Sequence, residues 1–106
     1  MAKERYYWLM MRKDLFFRPD FCRLELEEDG HELQLLFIKL MLASVDGAGE
    51  LKLNPDGDNN SIVLSAMTRT PVTAVEKALE VYERLGMIRE KNGVLELPLV
   101  KELLGL

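Results

Sequence analysis

Seven side chains in the second half of the chain have the types and spacing that hold a phosphate backbone. Arg69, Thr70, Thr73 and Lys77 fall at the start of one helical pattern, and Arg89, Lys91 and Asn92 surround a tight turn. Hydroxyls and backbone N–H groups at a helix start meet phosphate oxygens, and cations on a nearby hairpin add charge to the same contact. Stepping through residues 71–86 at about 100° per residue puts Thr73, Lys77, Glu80 and Arg84 on one side, flanked by Glu76 and Glu83. Carboxylates repel a duplex, so the second half of that face is expected to stay outside. The alternative is an ordinary solvated face, with Glu80 and Arg84 paired one helical turn apart.

The hairpin residues divide in the same way. A two-residue turn at Asn92-Gly93 sets Arg89 opposite Glu96 and Lys91 opposite Val94. Arg89 therefore has a competing carboxylate partner, whereas Lys91 has none. Arg69 stands between two helical segments, where it either reaches a phosphate or caps the helix before it.

Other chemistries find no support. His31 is the only histidine, so neither a zinc site nor a Ser-His pair can be assembled around it. The stretch "DGDNNS" imitates the start of a calcium loop through Asp56, Asp58 and Asn60. Ser61 stands where the loop needs glycine, and Met67 where it needs a bidentate glutamate. Glu25, Glu27, Glu28, Asp29 and Glu32 read as an exposed acidic surface and not as a catalytic dyad. No glycine-rich phosphate loop is present. Catalysis, a metal and a cofactor are therefore not expected.

The elements that must position these residues are legible. "FFRPDFCRLELEEDG" is a short helix with Pro19 at its first position, Asp20 on its dipole, Phe21, Leu24 and in part Cys22 facing inward, and Gly30 as its stop. In "HELQLLFIKLMLASV", Leu33, Leu36, Phe37, Leu40, Met41 and Ser44 share one face. Leu35, Ile38 and Leu42 make a second, which predicts a helix buried on most sides. A short strand is expected over 50–53, a polar loop over "NPDGDNN", and a helix over "SIVLSAMT" capped by Asn60 or Ser61. The next helix starts at Thr70 as N-cap and Pro71, and ends at Gly86, with Val72, Val75, Ala78, Leu79, Tyr82 and Leu85 inward. The hairpin of "MIREKNGVLEL" and a last short helix, "PLVKELLGL", complete the order. A helix–turn–helix over residues 60–86 followed by a hairpin over 87–97 is a winged helix, in the α+β class with a small antiparallel sheet.

At 106 residues the chain is read as one domain, residues 1–106. The lone Cys22 excludes an internal disulfide, reads as a small half-buried hydrophobe, and fits a reducing cytoplasm. No apolar stretch approaches the roughly 20 residues that span a bilayer, so no membrane role is expected. The net charge is −4 but is unevenly spread: residues 21–60 hold three basic and nine acidic groups, while residues 61–106 hold six of each. Either end is thus free to present a positive patch.

The opening run "YYWLMM" is an N-terminal apolar extension, expected as a docking strand within residues 1–14. In extended backbone Tyr7, Leu9 and Met11 face one way and Tyr6, Trp8 and Met10 the other. One face is expected to dock on the domain, and the face of Tyr6, Trp8 and Met10 to join a homodimer or higher oligomer. In the alternative, Phe16, Phe17 and the first helix fold over that face within one monomer.

Several of these stretches together resemble the N-terminal domain of phage replisome organisers: "YYWL" followed by "DLFF", "LQLLFIKLML", "LSAMTRTPVTAVEKALEVYERLGMI", "NGVLELP" and "VKELLGL". The resemblance implies a phage- or prophage-encoded replication-initiation protein, related to DnaD-type primosomal proteins and acting in a bacterial cytoplasm. It implies double-stranded DNA and helicase-loading proteins as partners, and intact members usually continue beyond this domain. Two other readings compete: a winged helix that recruits proteins without useful DNA affinity, and a small transcriptional regulator.

Overall fold

A computed structural model describes residues 8–57 and 59–106. Its elements run α1 (Pro19–Glu25), α2 (Gly30–Ala43), β1 (Glu50–Lys52), α3 (Asn60–Thr68), α4 (Val72–Arg84), β2 (Arg89–Lys91), β3 (Val94–Glu96) and α5 (Pro98–Leu103), with 3₁₀ turns at Leu15–Phe17 and Val45–Gly47. The strands form one antiparallel sheet in the order β1-β3-β2. Helix–turn–helix α3–α4 followed by the β2–β3 wing makes this α+β chain a winged helix.

A chain of aromatic edges ties the helices together. Phe16 meets Phe21 edge-on, Phe21 meets Phe37 at 5.8 Å between centroids, and Phe37 meets Tyr82 at 5.0 Å. Such T-shaped pairs set the electropositive edge of one ring against the electron-rich face of the next. They link α1, α2 and α4 in one core with Leu24, Leu36, Leu40, Leu64 and Val75. The Tyr82 hydroxyl donates to the Leu33 carbonyl, and burial pushes its pKa well above the ordinary phenol value. Gln34, also buried, donates to the Phe21 carbonyl and fastens α2 to α1.

Several expectations change in detail. Gly30 does not stop α1 but opens α2. Asp29 turns the chain in the left-handed region at φ 59°, and a Cβ on Gly30 would lie 2.4 Å from the Leu24 carbonyl oxygen. Only glycine permits α1 and α2 to approach so closely. Cys22 is exposed, not half-buried, because Phe21 and Leu24 already fill the inward side of α1. Leu35 and Leu42 are exposed as well: α2 buries one face, and only Ile38 of the second face packs against the core. On α4, Val81 is in the core with Val75, Ala78 and Tyr82, while Val72, Leu79 and Leu85 are half-buried. The α3 cap falls on Asn59 and the α4 cap on Pro71, one residue from the expected positions.

The N-terminal run also differs. Over residues 8–12 it forms no strand and lies outside the sheet. Leu9 packs on the core, while Trp8 and Met10 are each 77% exposed. Phe17 is 82% exposed and so does not fold over them, as the monomeric alternative required. Tyr6 and Tyr7 lie outside the described residues, as does Asp58 of the calcium-like stretch. Asn60 of that stretch is engaged otherwise. Its side chain accepts from the Asn54 N–H at 2.8 Å and donates to the Asn54 carbonyl at 3.1 Å.

Candidate nucleic-acid interface

The turn between α3 and α4 is held from three directions. Lys39, the only charged residue of α2 beyond Glu32, donates to the Thr68 carbonyl at 2.9 Å. It thereby caps the negative end of α3. The Ser65 hydroxyl donates to the Thr70 carbonyl, and the Thr68 hydroxyl to the Leu64 carbonyl. Arg69 adopts the left-handed region at φ 54°, its side chain exposed and without an ion pair among the described residues. Thr70 is half-buried, and its hydroxyl points back to the Thr68 carbonyl at 3.3 Å, so it does not serve as a side-chain cap. Thr73 is exposed on the first turn of α4.

Further along α4 the cations are engaged. Lys77 Nζ lies 3.6 Å from Glu28 and 3.8 Å from Asp29, and Arg84 pairs with Glu27. The Glu80–Arg84 pair of the solvated-face alternative is not formed, because the turn joining α1 to α2 presents Glu27 to Arg84 from outside the helix. The acidic surface therefore lies against the outer face of α4, a placement that residue spacing along one helix cannot reveal. The spacing marks the acids as exposed and the cations as one face, without joining them.

The wing is built differently. Asn92 at φ 53° and Gly93 at φ 80° make the tight turn, and β2 and β3 pair with Arg89 opposite Glu96 and Lys91 opposite Val94. A Cβ on Gly93 would lie 2.6 Å from the Asn54 carbonyl oxygen. The Leu53 N–H donates to the Gly93 carbonyl, so the tip rests on the chain leaving β1. Because Asn60 grips Asn54, the start of α3 fixes that chain, and with it the wing tip.

Charges on the outer face of the sheet fall in two rows. In the first, Glu50, Glu96 and Arg89 lie side by side across β1, β3 and β2. Arg89 is 3.4 Å from Glu96, and Lys101 of α5 reaches Glu50 at 2.7 Å and Glu96 at 2.9 Å. Hydrogen bonding to Lys101, joined by the charge of Arg89, holds the Glu96 carboxyl below its ordinary range, and the two carboxylates raise Lys101. Lys101 was not singled out from sequence; its only signal was the one cation of the last helix. In the second row, Lys52, Val94 and Lys91 lie side by side, and neither lysine has an ion pair among the described residues.

The seven residues identified from sequence thus lie in two groups: Arg69, Thr70, Thr73 and Lys77 around the start of α4, and Arg89, Lys91 and Asn92 on the wing. Among the described residues, no helix is long and apolar enough to cross a membrane. No curated protein and no solved structure shows significant similarity to the chain. The model of one protein family matches residues 8–106, and on this nearly complete match the chain belongs to the N-terminal phage replisome organiser family, which places it in phage replication.

Proposed function

We propose that this domain binds double-stranded DNA in a phage replication initiator, helping to assemble the primosome at an origin alongside helicase-loading proteins. The observation that carries the reading is the exposed Lys91 at the wing tip, which has no ion pair among the described residues, while the carboxylates of the adjacent row on its face, Glu50 and Glu96, are engaged by Lys101. Arg69 supports it from the other group. An arginine occupies a left-handed position that glycine or asparagine fills at less backbone cost, and its side chain is exposed. Thr73, Asn92 and the first N–H groups of α4 add neutral hydrogen-bond partners. Thr70 contributes through its backbone, and Arg89 is shared with Glu96. Lys77 contributes less, because its charge is spent on Glu28 and Asp29.

Titration with a mixed-sequence duplex at low and moderate salt tests this. Binding is expected to be weak and to fall with salt, since each phosphate contact adds about 0.9 to the slope of log affinity against log salt. Absence of binding at low salt favours the second reading, a protein-recruiting winged helix. One observation speaks for that reading: Leu35 and Leu42 on α2, and Ile62, Val63 and Met67 on α3, are exposed apolar residues on soluble faces. Self-association is proposed through Trp8 and Met10, whose exposure leaves them open to a second copy. Sedimentation of the chain at tens of micromolar with and without Trp8→Ser checks it. A monomer unchanged by the substitution removes the dimer from the account.

A further inference from the structure

We propose that Lys52 of β1 is a further phosphate contact of this interface, and that it forms with Lys91 a two-lysine clamp across the outer face of the sheet. The proposal rests on the reading that the domain binds duplex DNA, and extends it to a strand that precedes the helix–turn–helix.

The register carries the argument. Lys52 and Lys91 are each the partner of Val94, one on either side of β3. Residues in one cross-strand row point to the same face, and Leu51 and Leu95 in the neighbouring row are buried on the other. Both lysines therefore project outward. With strands about 4.8 Å apart, their Cα atoms are separated by roughly 10 Å. That distance lies between the minor-groove width of about 6 Å and the major-groove width of about 12 Å. Two flexible ammonium groups so placed can reach phosphates on both strands of a duplex.

Charge points the same way. The carboxylates of the adjacent row, Glu50 and Glu96, are bound to Lys101, and Arg89 is also paired with Glu96. Among the described residues, only the row of Lys52 and Lys91 presents uncompensated charge on this face. The geometry is also fixed before any ligand arrives. Gly93 rests on Asn54 two residues after Lys52, and Asn60 holds Asn54 from α3. Little ordering is then left to be done on binding, which favours affinity.

Fluorescence anisotropy of a labelled mixed-sequence duplex, titrated between about 50 and about 200 mM salt, tests the clamp. Lys52→Ala should flatten the salt slope by about 0.9, so that over this range the parent loses about 3–4-fold more affinity than the variant. The double variant with Lys91→Ala should flatten it by about 1.8, and Lys52→Arg should keep the parental slope. Thermal melting of each variant should match the parent, because Lys52 is exposed. Parental affinity and slope in Lys52→Ala, alongside a flattened Lys91→Ala, would overturn the clamp and leave DNA binding standing. A parent that does not bind at the lowest salt would overturn both.

Discussion

Helix α4 and the wing each present cations to solvent, but their surroundings dispose of that charge in opposite ways. On α4, Lys77 and Arg84 face Glu27, Glu28 and Asp29 of the α1–α2 turn, and the helix itself adds Glu76, Glu80 and Glu83. On the outer face of the sheet the carboxylates Glu50 and Glu96 are engaged by Lys101, and Lys52 and Lys91 beyond them have no ion pair among the described residues. The difference teaches that the position of a residue in a helix–turn–helix does not decide its electrostatic value. What decides it is whether a neighbouring element supplies the opposite charge first. If the domain binds DNA as proposed, the larger share of charged phosphate contact falls to the wing.

The largest expected effect would disable both regions together. Phe37 lies between Phe21 and Tyr82 and is fully buried. Phe37→Ala should cost about 3–5 kcal/mol, a large part of a typical domain's stability, read as the midpoint of denaturant unfolding. A shift no larger than that of exposed Glu83→Ala would contradict the aromatic chain as the seat of α4. Gly93→Ala separates the regions. Its left-handed φ and the close Asn54 carbonyl predict a loss of about 2 kcal/mol or more, together with weakened DNA binding from the displaced tip. Unchanged stability would mean that the tip is not braced as described.

Neutralising the acidic turn sharpens the comparison from the other side. The triple variant Glu27→Gln, Glu28→Gln, Asp29→Asn should tighten duplex binding and steepen the salt slope by about 1, as Lys77 becomes available. An unchanged slope would show that α4 stays away from the duplex whatever its charge. The smallest effect is in the pH dependence of the sheet. Because Glu96 is held below its ordinary value of 4.5, its contribution is complete above that value and is lost as pH falls through its lower folded pKa. The melting temperatures of the parent and Glu96→Gln should therefore differ at neutral pH and converge under acid. A gap that persists at low pH would remove the carboxylate as its cause.

Local sequence rules reached most of the fold because its signals are local. Asn92-Gly93 specifies its turn, Pro19 starts α1, and the apolar spacing of Leu33, Leu36, Phe37 and Leu40 identifies the buried face of α2. The failures have one common cause, which is dependence on contacts between elements. Gly30 looks like a helix stop until the close approach of Leu24 is known, and Leu35 and Leu42 look buried until no element of the described residues is found over them. The site followed the same division. Lys91 opposite Val94 could be read from the hairpin register, whereas the partners of Lys77, the cap supplied by Lys39 and the bridge made by Lys101 come from elements distant in sequence.

The central claim, that the charged phosphate contacts come from the wing and not from Lys77 of α4, is tested most directly by comparing salt slopes. The chain, Lys91→Ala and Lys77→Ala are titrated with the same mixed-sequence duplex over the same salt range. The account predicts that Lys91→Ala flattens the slope by about 0.9 while Lys77→Ala stays within about 0.3 of the parent. A flattened slope in Lys77→Ala with a parental slope in Lys91→Ala would contradict it.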